Sequence, residues 1–221
     1  MWRSGAPLVL KVYVVTAEGL VPGRGHAEVA AGAIAGGANA VQLRVDEAVP
    51  DAELAPLARE LADRCRERGV LLVINNRLEL AVRVGAGGVH LGQGDGWEGA
   101  RDSIGPRLGD DQVLGVSVET PEQAELAELA GADYVGVTVW ATATKPEAAP
   151  LGLDGVRAVA AATRLPVVGI GGITAANAAQ VLAAGAAGVA VVGAVAGAPD
   201  PAQATRELVI AVRGTRGGGT G

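Results

Sequence analysis

The chain has one cysteine, few aromatic residues and no apolar run that approaches a membrane span. A single Cys65 excludes an intramolecular disulfide framework and fits a reducing interior. Its place in a helical pattern predicts a buried packing role rather than a nucleophilic one. Aromatic residues are only 2% of the 221, while 49% are hydrophobic, so Ala, Val, Leu and Gly must fill the core. Lys and Arg form no cluster, and the formal charge of -6 argues against a nucleic-acid surface. No signal-like apolar segment stands near Met1, so a cytoplasmic protein without membrane contact is expected.

What is present is a repeating pattern. Apolar, β-type runs recur at Leu10–Val15, Ala40–Leu43, Val70–Ile74, Gly88–Leu91, Val113–Val118, Tyr134–Val139, Pro166–Ile170 and Gly188–Val192. Amphipathic or Ala-rich segments such as Asp51–Arg68, Pro121–Leu129 and Ala175–Ala184 lie between them. Continuous apolar strands separated by helices read as a parallel sheet covered by helices. About eight such units predict an α/β protein with a single (β/α)8 TIM barrel over residues 1–213. An open doubly wound sheet is the alternative. The Gly/Thr/Arg segment Gly214–Gly221 reads as a disordered tail.

Two glycine turns close the last two strand candidates, Gly169-Ile170-Gly171-Gly172-Ile173 and Gly188-Val189-Ala190-Val191-Val192-Gly193. Glycines there either only permit tight strand-to-helix packing or let the backbone approach an anion near a helix start. In a barrel, turns after the last two strands are the usual phosphate grip, so a phosphorylated small molecule is expected. The other strand ends carry Gln42 and Arg44, Asn75 and Asn76, Gln93 and Asp95, Ser117 and Glu119, and Thr142, Thr144 and Lys145. Each is read either as a cap of the following helix or as part of an active site. Arg44 and Lys145 come from different strands and suit a multiply charged anion. Asp95, with amide oxygens nearby, suits Mg²⁺, which takes few carboxylates and shares phosphates. His90 reads as a satisfied core histidine, and His26, at the start of a helical segment, as a surface or capping residue. Trp140 lines a pocket or simply packs. Trp2 and Trp97 carry no usable signal.

The motifs together resemble the thiamine phosphate synthase family, whose relatives include thiazole tautomerases. The matches are Val41-Gln42-Leu43-Arg44, Ile74-Asn75-Asn76-Arg77, Val89-His90-Leu91-Gly92-Gln93-Gly94-Asp95, Gly115-Val116-Ser117, Ala132-Asp133-Tyr134-Val135-Gly136, Thr142-Ala143-Thr144-Lys145-Pro146 and the two glycine turns. The resemblance implies a transferase of thiamine biosynthesis that joins hydroxymethylpyrimidine diphosphate to a thiazole phosphate and releases pyrophosphate. It implies that Gln42, Arg44, Asn75 and Lys145 hold the pyrimidine diphosphate, that Asp95 binds Mg²⁺, and that Ser117 lies near the reacting groups. It further implies that Thr142 and Thr144 contact the thiazole partner. Gly171 or Gly172, with Val192 and Gly193, would grip its phosphate.

The chain also departs from the family pattern. Asp46 stands where a lysine is expected on pyrophosphate, Asn76 where a metal carboxylate is expected, and Gly193 where a serine is expected near the thiazole phosphate. A carboxylate about 4 Å from a phosphate charge costs on the order of 4 kcal/mol per pair at an effective dielectric of about 20, unless Asp46 replaces the missing metal ligand. The tautomerases are the main rival; they use a histidine where this chain has Glu119, a candidate acid/base. A barrel that binds a phosphorylated ligand without turnover is the third reading. Homo-oligomerisation is left open.

Overall fold

A strand of a parallel barrel is buried on both faces, which is why the strands here read as unbroken apolar runs. The computed structural model describes residues 8–92, 112–142 and 149–214. Eight strands run β1 Val12–Val15, β2 Ala40–Leu43, β3 Leu71–Asn75, β4 Gly88–Leu91, β5 Val113–Ser117, β6 Tyr134–Thr138, β7 Val167–Ile170 and β8 Gly188–Val191. Each pairs in parallel with the next, and β8 returns to β1 through Tyr13 opposite Ala190, so the sheet is a closed barrel. Closure overturns the open-sheet alternative. The expected strand ends agree with these to within two residues. Beyond Gly214, the expected tail lies outside the described residues.

Among the described residues the helices are α1 His26–Gly36, α2 Asp51–Glu67, α3 Leu78–Val84, α4 Pro121–Leu129, α5 Gly152–Ala162, α6 Ala178–Ala183, α7 Gly193–Ala196 and α8 Pro201–Arg213. Thr120 caps α4 by accepting from the Gln123 N–H at 3.2 Å, with Pro121 in the first turn, where its missing N–H is harmless. Asp200 caps α8 through the N–H groups of Ala202 and Gln203. Helix α6 starts three residues later than the Ala175 expected. The side chain of Asn177 holds the preceding turn, accepting from Thr174 N–H at 2.8 Å and donating to the Gly172 carbonyl at 3.0 Å. Cys65 is buried, and burial pushes its thiol up to about 12, as a packing residue requires.

The core has two parts. Helices pack on the outward strand faces around residues such as Val41, Leu61, Ile74 and Val135. Inside the barrel a smaller apolar cluster of Leu10, Tyr13, Leu71, Val113, Tyr134 and Val168 plugs the lower half. Side chains alternate along a strand, so the residues two places after this plug face the same interior nearer the C-terminal end. On three strands those residues are polar, Gln42 after Ala40, Asn75 after Val73 and Ser117 four after Val113, whereas Val15 after Tyr13 and Ile170 after Val168 are apolar. The plug thus forms the floor of a mouth that is polar on β2, β3 and β5 and apolar on β1 and β7.

Candidate active site

The mouth opens into a cavity of about 980 Å³ at the C-terminal ends of the strands. Gln42, Arg44, Asp46, Asn75, Asn76, Ser117 and Glu119 all line it. The structure therefore brings together the strand-end residues from β2, β3 and β5. Gln42 is only 5% exposed, and its amide N–H donates to the Tyr13 hydroxyl at 2.7 Å. Arg44 is half-buried, and its backbone N–H donates to Thr16 Oγ1 at 3.4 Å. Glu119 is exposed at the rim.

On the cavity floor, Tyr13 and Tyr134 place their hydroxyls 3.1 Å apart with the rings nearly edge-on. Tyr134 OH lies 3.0 Å from His90 Nδ1, and His90 Nε2 lies 3.0 Å from Ser117 Oγ. His90 is thus satisfied at both ring nitrogens, as expected. It is not a core residue, however: it is half-buried and lines the cavity. Gly115 makes the room, since a Cβ there would lie 2.1 Å from the Tyr134 ring. Burial holds both phenols well above the usual tyrosine range, so they stay protonated.

The loop after β2 is fixed by Arg77, which donates to the carbonyls of Val49 and Asp46 and pairs with Asp51 at 2.6 Å. Asp46 accepts from Ala48 N–H at 2.9 Å within that loop. Glu47, not Asp46, reaches across to β3, where it accepts from the Asn76 amide at 3.2 Å. Asn76 in turn accepts from Gly92 N–H at 3.3 Å and sits at φ 56. Among the described residues it is the one non-glycine with positive φ, a conformation that Asn tolerates better than most.

A second cavity of about 190 Å³ adjoins the first, and Arg44, Thr138, Ile170, Ala190 and Val192 border both. Thr142, Gly171, Gly172 and Gly193 also line it, so both glycine turns meet at one small space. Gly171 is required where it stands: at φ 95, its added Cβ would meet the Trp140 carbonyl oxygen at 2.5 Å. Gly193 is under no such constraint, because a Cβ there would meet nothing within 4 Å. Trp140 packs on the core and against Gly172 rather than lining either cavity.

His26 corrects the sequence reading. It opens α1 as expected, but it is 5% exposed and lines the large cavity. Its Nδ1 lies 2.8 Å from Thr16 Oγ1 and its Nε2 lies 3.2 Å from Glu18. Burial lowers its pKa, and Glu18 opposes the shift. Glu18, Glu47, Tyr13 and Tyr134 were not singled out from sequence. Only Tyr134 carried a signal, through its place in the Ala132–Gly136 motif. Gln93, Asp95, Trp97, Thr144 and Lys145 lie outside the described residues, as does Trp2.

Fold and site together define the class: a (β/α)8-barrel enzyme whose strand ends hold a cation and two glycine turns around phosphate-sized space. The family model described as thiamine monophosphate synthase matches residues 12–195. The thiamine-phosphate synthase of Moorella thermoacetica is 46% identical over 209 residues, covering 93% of this chain and 97% of its own. That of Natronomonas pharaonis is 49% identical over 208 residues, covering 92% and 95%. The solved thiamine phosphate pyrophosphorylase from Pyrococcus furiosus superposes with a TM-score of 0.83 at 37% identity, covering 94% of this chain and 98% of its own. The chain belongs to the thiamine monophosphate synthase family, and it is a transferase of thiamine biosynthesis with thiamine-phosphate synthase function. These relatives favour that function over a tautomerase or a non-catalytic barrel. Among the described residues, no helix is long and apolar enough to cross a membrane.

Proposed function

We propose that the larger cavity takes hydroxymethylpyrimidine diphosphate and the smaller takes the phosphate of a thiazole phosphate. The observation that carries this reading is the position of Arg44, whose residue borders both cavities together with Thr138. A guanidinium between two anion sites draws two negatively charged substrates together, and held neighbours react with the entropy of encounter already lost. The bond between the pyrimidine methylene carbon and the diphosphate oxygen breaks, and its electron pair leaves with pyrophosphate. The thiazole nitrogen lone pair then forms the new carbon–nitrogen bond.

Negative charge grows on the leaving group as that bond breaks, so donors and cations beside it stabilise the transition state more than the ground state. Gln42, Arg44, Asn75 and Lys145 hold the pyrimidine diphosphate, with Ser117 next to the reacting centre. Thr142 and Thr144 contact the thiazole, and the backbone at Gly171, Gly172, Val192 and Gly193 grips its phosphate. The apolar walls of Val168, Ile170 and Ala190 limit water at the pyrimidine cation. Glu119 has no step in this reaction.

Mg²⁺ would add electrostatic stabilisation of the departing diphosphate when bound. Among the described residues no group of three His, Cys, Asp or Glu is placed to hold a metal. The rim nonetheless fits Mg²⁺, because its donors are oxygens and this cation keeps most of its waters and needs only one or two carboxylates. Asp95 and Glu47 would hold it, with Asp46, next to Glu47 in sequence, as a further carboxylate. A cytoplasmic setting accords with a single free cysteine.

The test is a product assay by mass spectrometry with purified protein, both substrates and Mg²⁺. Thiamine phosphate and pyrophosphate in equal amounts are expected. A folded protein that forms neither overturns the reading.

A further inference from the structure

Five side chains form one continuous hydrogen-bonded path across the barrel interior. It runs from Gln42 to Tyr13 (2.7 Å), Tyr134 (3.1 Å), His90 (3.0 Å) and Ser117 (3.0 Å). Its two ends face the large cavity, and its middle rests on the apolar plug. Neutral histidine carries one ring N–H, so such a path has two consistent proton orders. In the first, the Gln42 amide N–H donates to Tyr13, each phenol donates onward, His90 Nδ1 accepts and its Nε2–H donates to Ser117. The Ser117 proton is then turned toward the cavity. In the second, every bond is reversed: Ser117 donates to His90 and the Gln42 carbonyl oxygen accepts.

We propose that the first order holds, so that Tyr13 and Tyr134 are positioning residues that set Ser117 as a donor and the Gln42 carbonyl oxygen as an acceptor toward the substrate. That the substrate is a pyrimidine diphosphate rests on the proposed function; the Gln42–Tyr13 contact that selects the proton order does not. One contact selects this order, burial keeps the path intact, and the chemistry of the substrate agrees. The amide nitrogen of Gln42 is the atom at 2.7 Å from Tyr13, which leaves its oxygen for the cavity. Burial keeps both phenols protonated, so neither link in the middle of the path is lost to ionisation. A diphosphate oxygen only accepts hydrogen bonds, and the first order gives it a serine donor. The glycine at position 115 reserves the space that lets the Tyr134 hydroxyl reach the barrel axis.

The first test needs no substrate. The chain holds two histidines, so ¹⁵N-histidine NMR of the wild type and of His26→Gln assigns the His90 signal by elimination. A proton on Nε2 at neutral pH is expected; a proton on Nδ1 overturns the proposal. The second test is Tyr134→Phe, which keeps the ring and removes the link. Its His90 signal should shift toward a mixture of tautomers. Its kcat/KM for the pyrimidine diphosphate should fall about tenfold to hundredfold, with KM for the thiazole phosphate unchanged. A residue that acts through Ser117 has a smaller effect once Ser117 is gone, so Tyr134→Phe should cost far less in a Ser117→Ala background. Equal losses in the two backgrounds, or an unchanged tautomer and turnover, would overturn it. Should Tyr134→Phe fail to fold, the wild-type tautomer alone decides. Should the protein form another product, the tautomer result stands apart from it.

Discussion

The carboxylate of Glu47 accepts a hydrogen bond from the amide of Asn76 at 3.2 Å, joining the loop after β2 to the end of β3. Family resemblance places a metal-binding carboxylate at position 76, and here the carboxylate next to that position comes from residue 47 instead. Asn76→Asp should therefore create a like-charge pair on an exposed rim. At about 4 Å in water such a pair costs about 1 kcal/mol, which lowers Tm by about 2–4 °C in a chain of this size. Millimolar Mg²⁺ should reverse that loss, because a divalent cation between two carboxylates turns repulsion into attraction. Thermal unfolding with and without Mg²⁺ reads this directly. An equal drop in both conditions would count against a cation at this rim.

The two glycine turns should respond in opposite ways. Gly193→Ser adds a Cβ that meets nothing within 4 Å, and it extends a hydroxyl into the small cavity. A hydrogen bond to a charged group contributes about 1.5–3 kcal/mol at most, less where exposed, so KM for the thiazole phosphate should fall severalfold while Tm holds. Gly171→Ala forces a side chain onto φ 95 and against the Trp140 carbonyl, which should destabilise by about 1–3 kcal/mol. Denaturant unfolding and steady-state kinetics on the pair separate a binding glycine from a structural one.

These two turns also show what was legible in the sequence. Strand–glycine–helix order placed both turns correctly because local chain direction decides it, and the barrel followed from eight apolar runs. Gln42, Asn75 and Ser117 were legible for the same reason: a residue at a strand end is carried to the mouth by the strand itself. Glu47 was not, since it sits on a loop whose path is set by the distant Arg77, and Glu18 was not, since its partner His26 was itself read as a surface or capping residue. Tyr13 and Tyr134 lie within two of the apolar strand candidates, and both are buried. Their hydroxyls became a site only because two strands far apart in sequence both point those positions at the barrel axis. His26 was misread because one helix start looks like another until Thr16 and Glu18 are seen against it.

Arg44→Ala should weaken both substrates at once. Removing a charge-assisted contact costs about 1.5–3 kcal/mol, or about 10- to 150-fold in kcat/KM, and Arg44 borders both cavities. Arg44→Lys should recover part of the loss, because an ammonium keeps the charge but not the planar fork. Steady-state kinetics with each substrate varied in turn checks this. An effect confined to one substrate would show that Arg44 serves a single site.

Arg77 answers a different question, whether the loop after β2 must be held for the site to work. Its side chain is 12% exposed, and the guanidinium bonds two carbonyls and the Asp51 carboxylate. Arg77→Ala leaves those acceptors to water, so a loss of about 1–3 kcal/mol of stability is expected, with faster amide exchange across Asp46–Pro50. Hydrogen exchange read by mass spectrometry locates the change; a uniform increase over the whole barrel would contradict a local clamp.

His26 gives the fold a pH dependence with a definite sign. Burial favours its neutral form, so its folded pKa lies below the ordinary 6.5, and the nearby Glu18 carboxylate only partly offsets this. Above 6.5 both folded and unfolded chains hold it neutral, and its contribution to stability is fully present. Below 6.5 the unfolded chain takes up a proton that the folded chain resists, so stability falls as pH drops toward the folded pKa. His26→Gln keeps a polar group against Thr16 but cannot take up that proton. Tm measured from pH 8 down to 5 should therefore fall less steeply for His26→Gln than for the wild type. If burial were outweighed by Glu18, the wild type would gain stability relative to the variant on acidification, and the difference between the two curves would change sign.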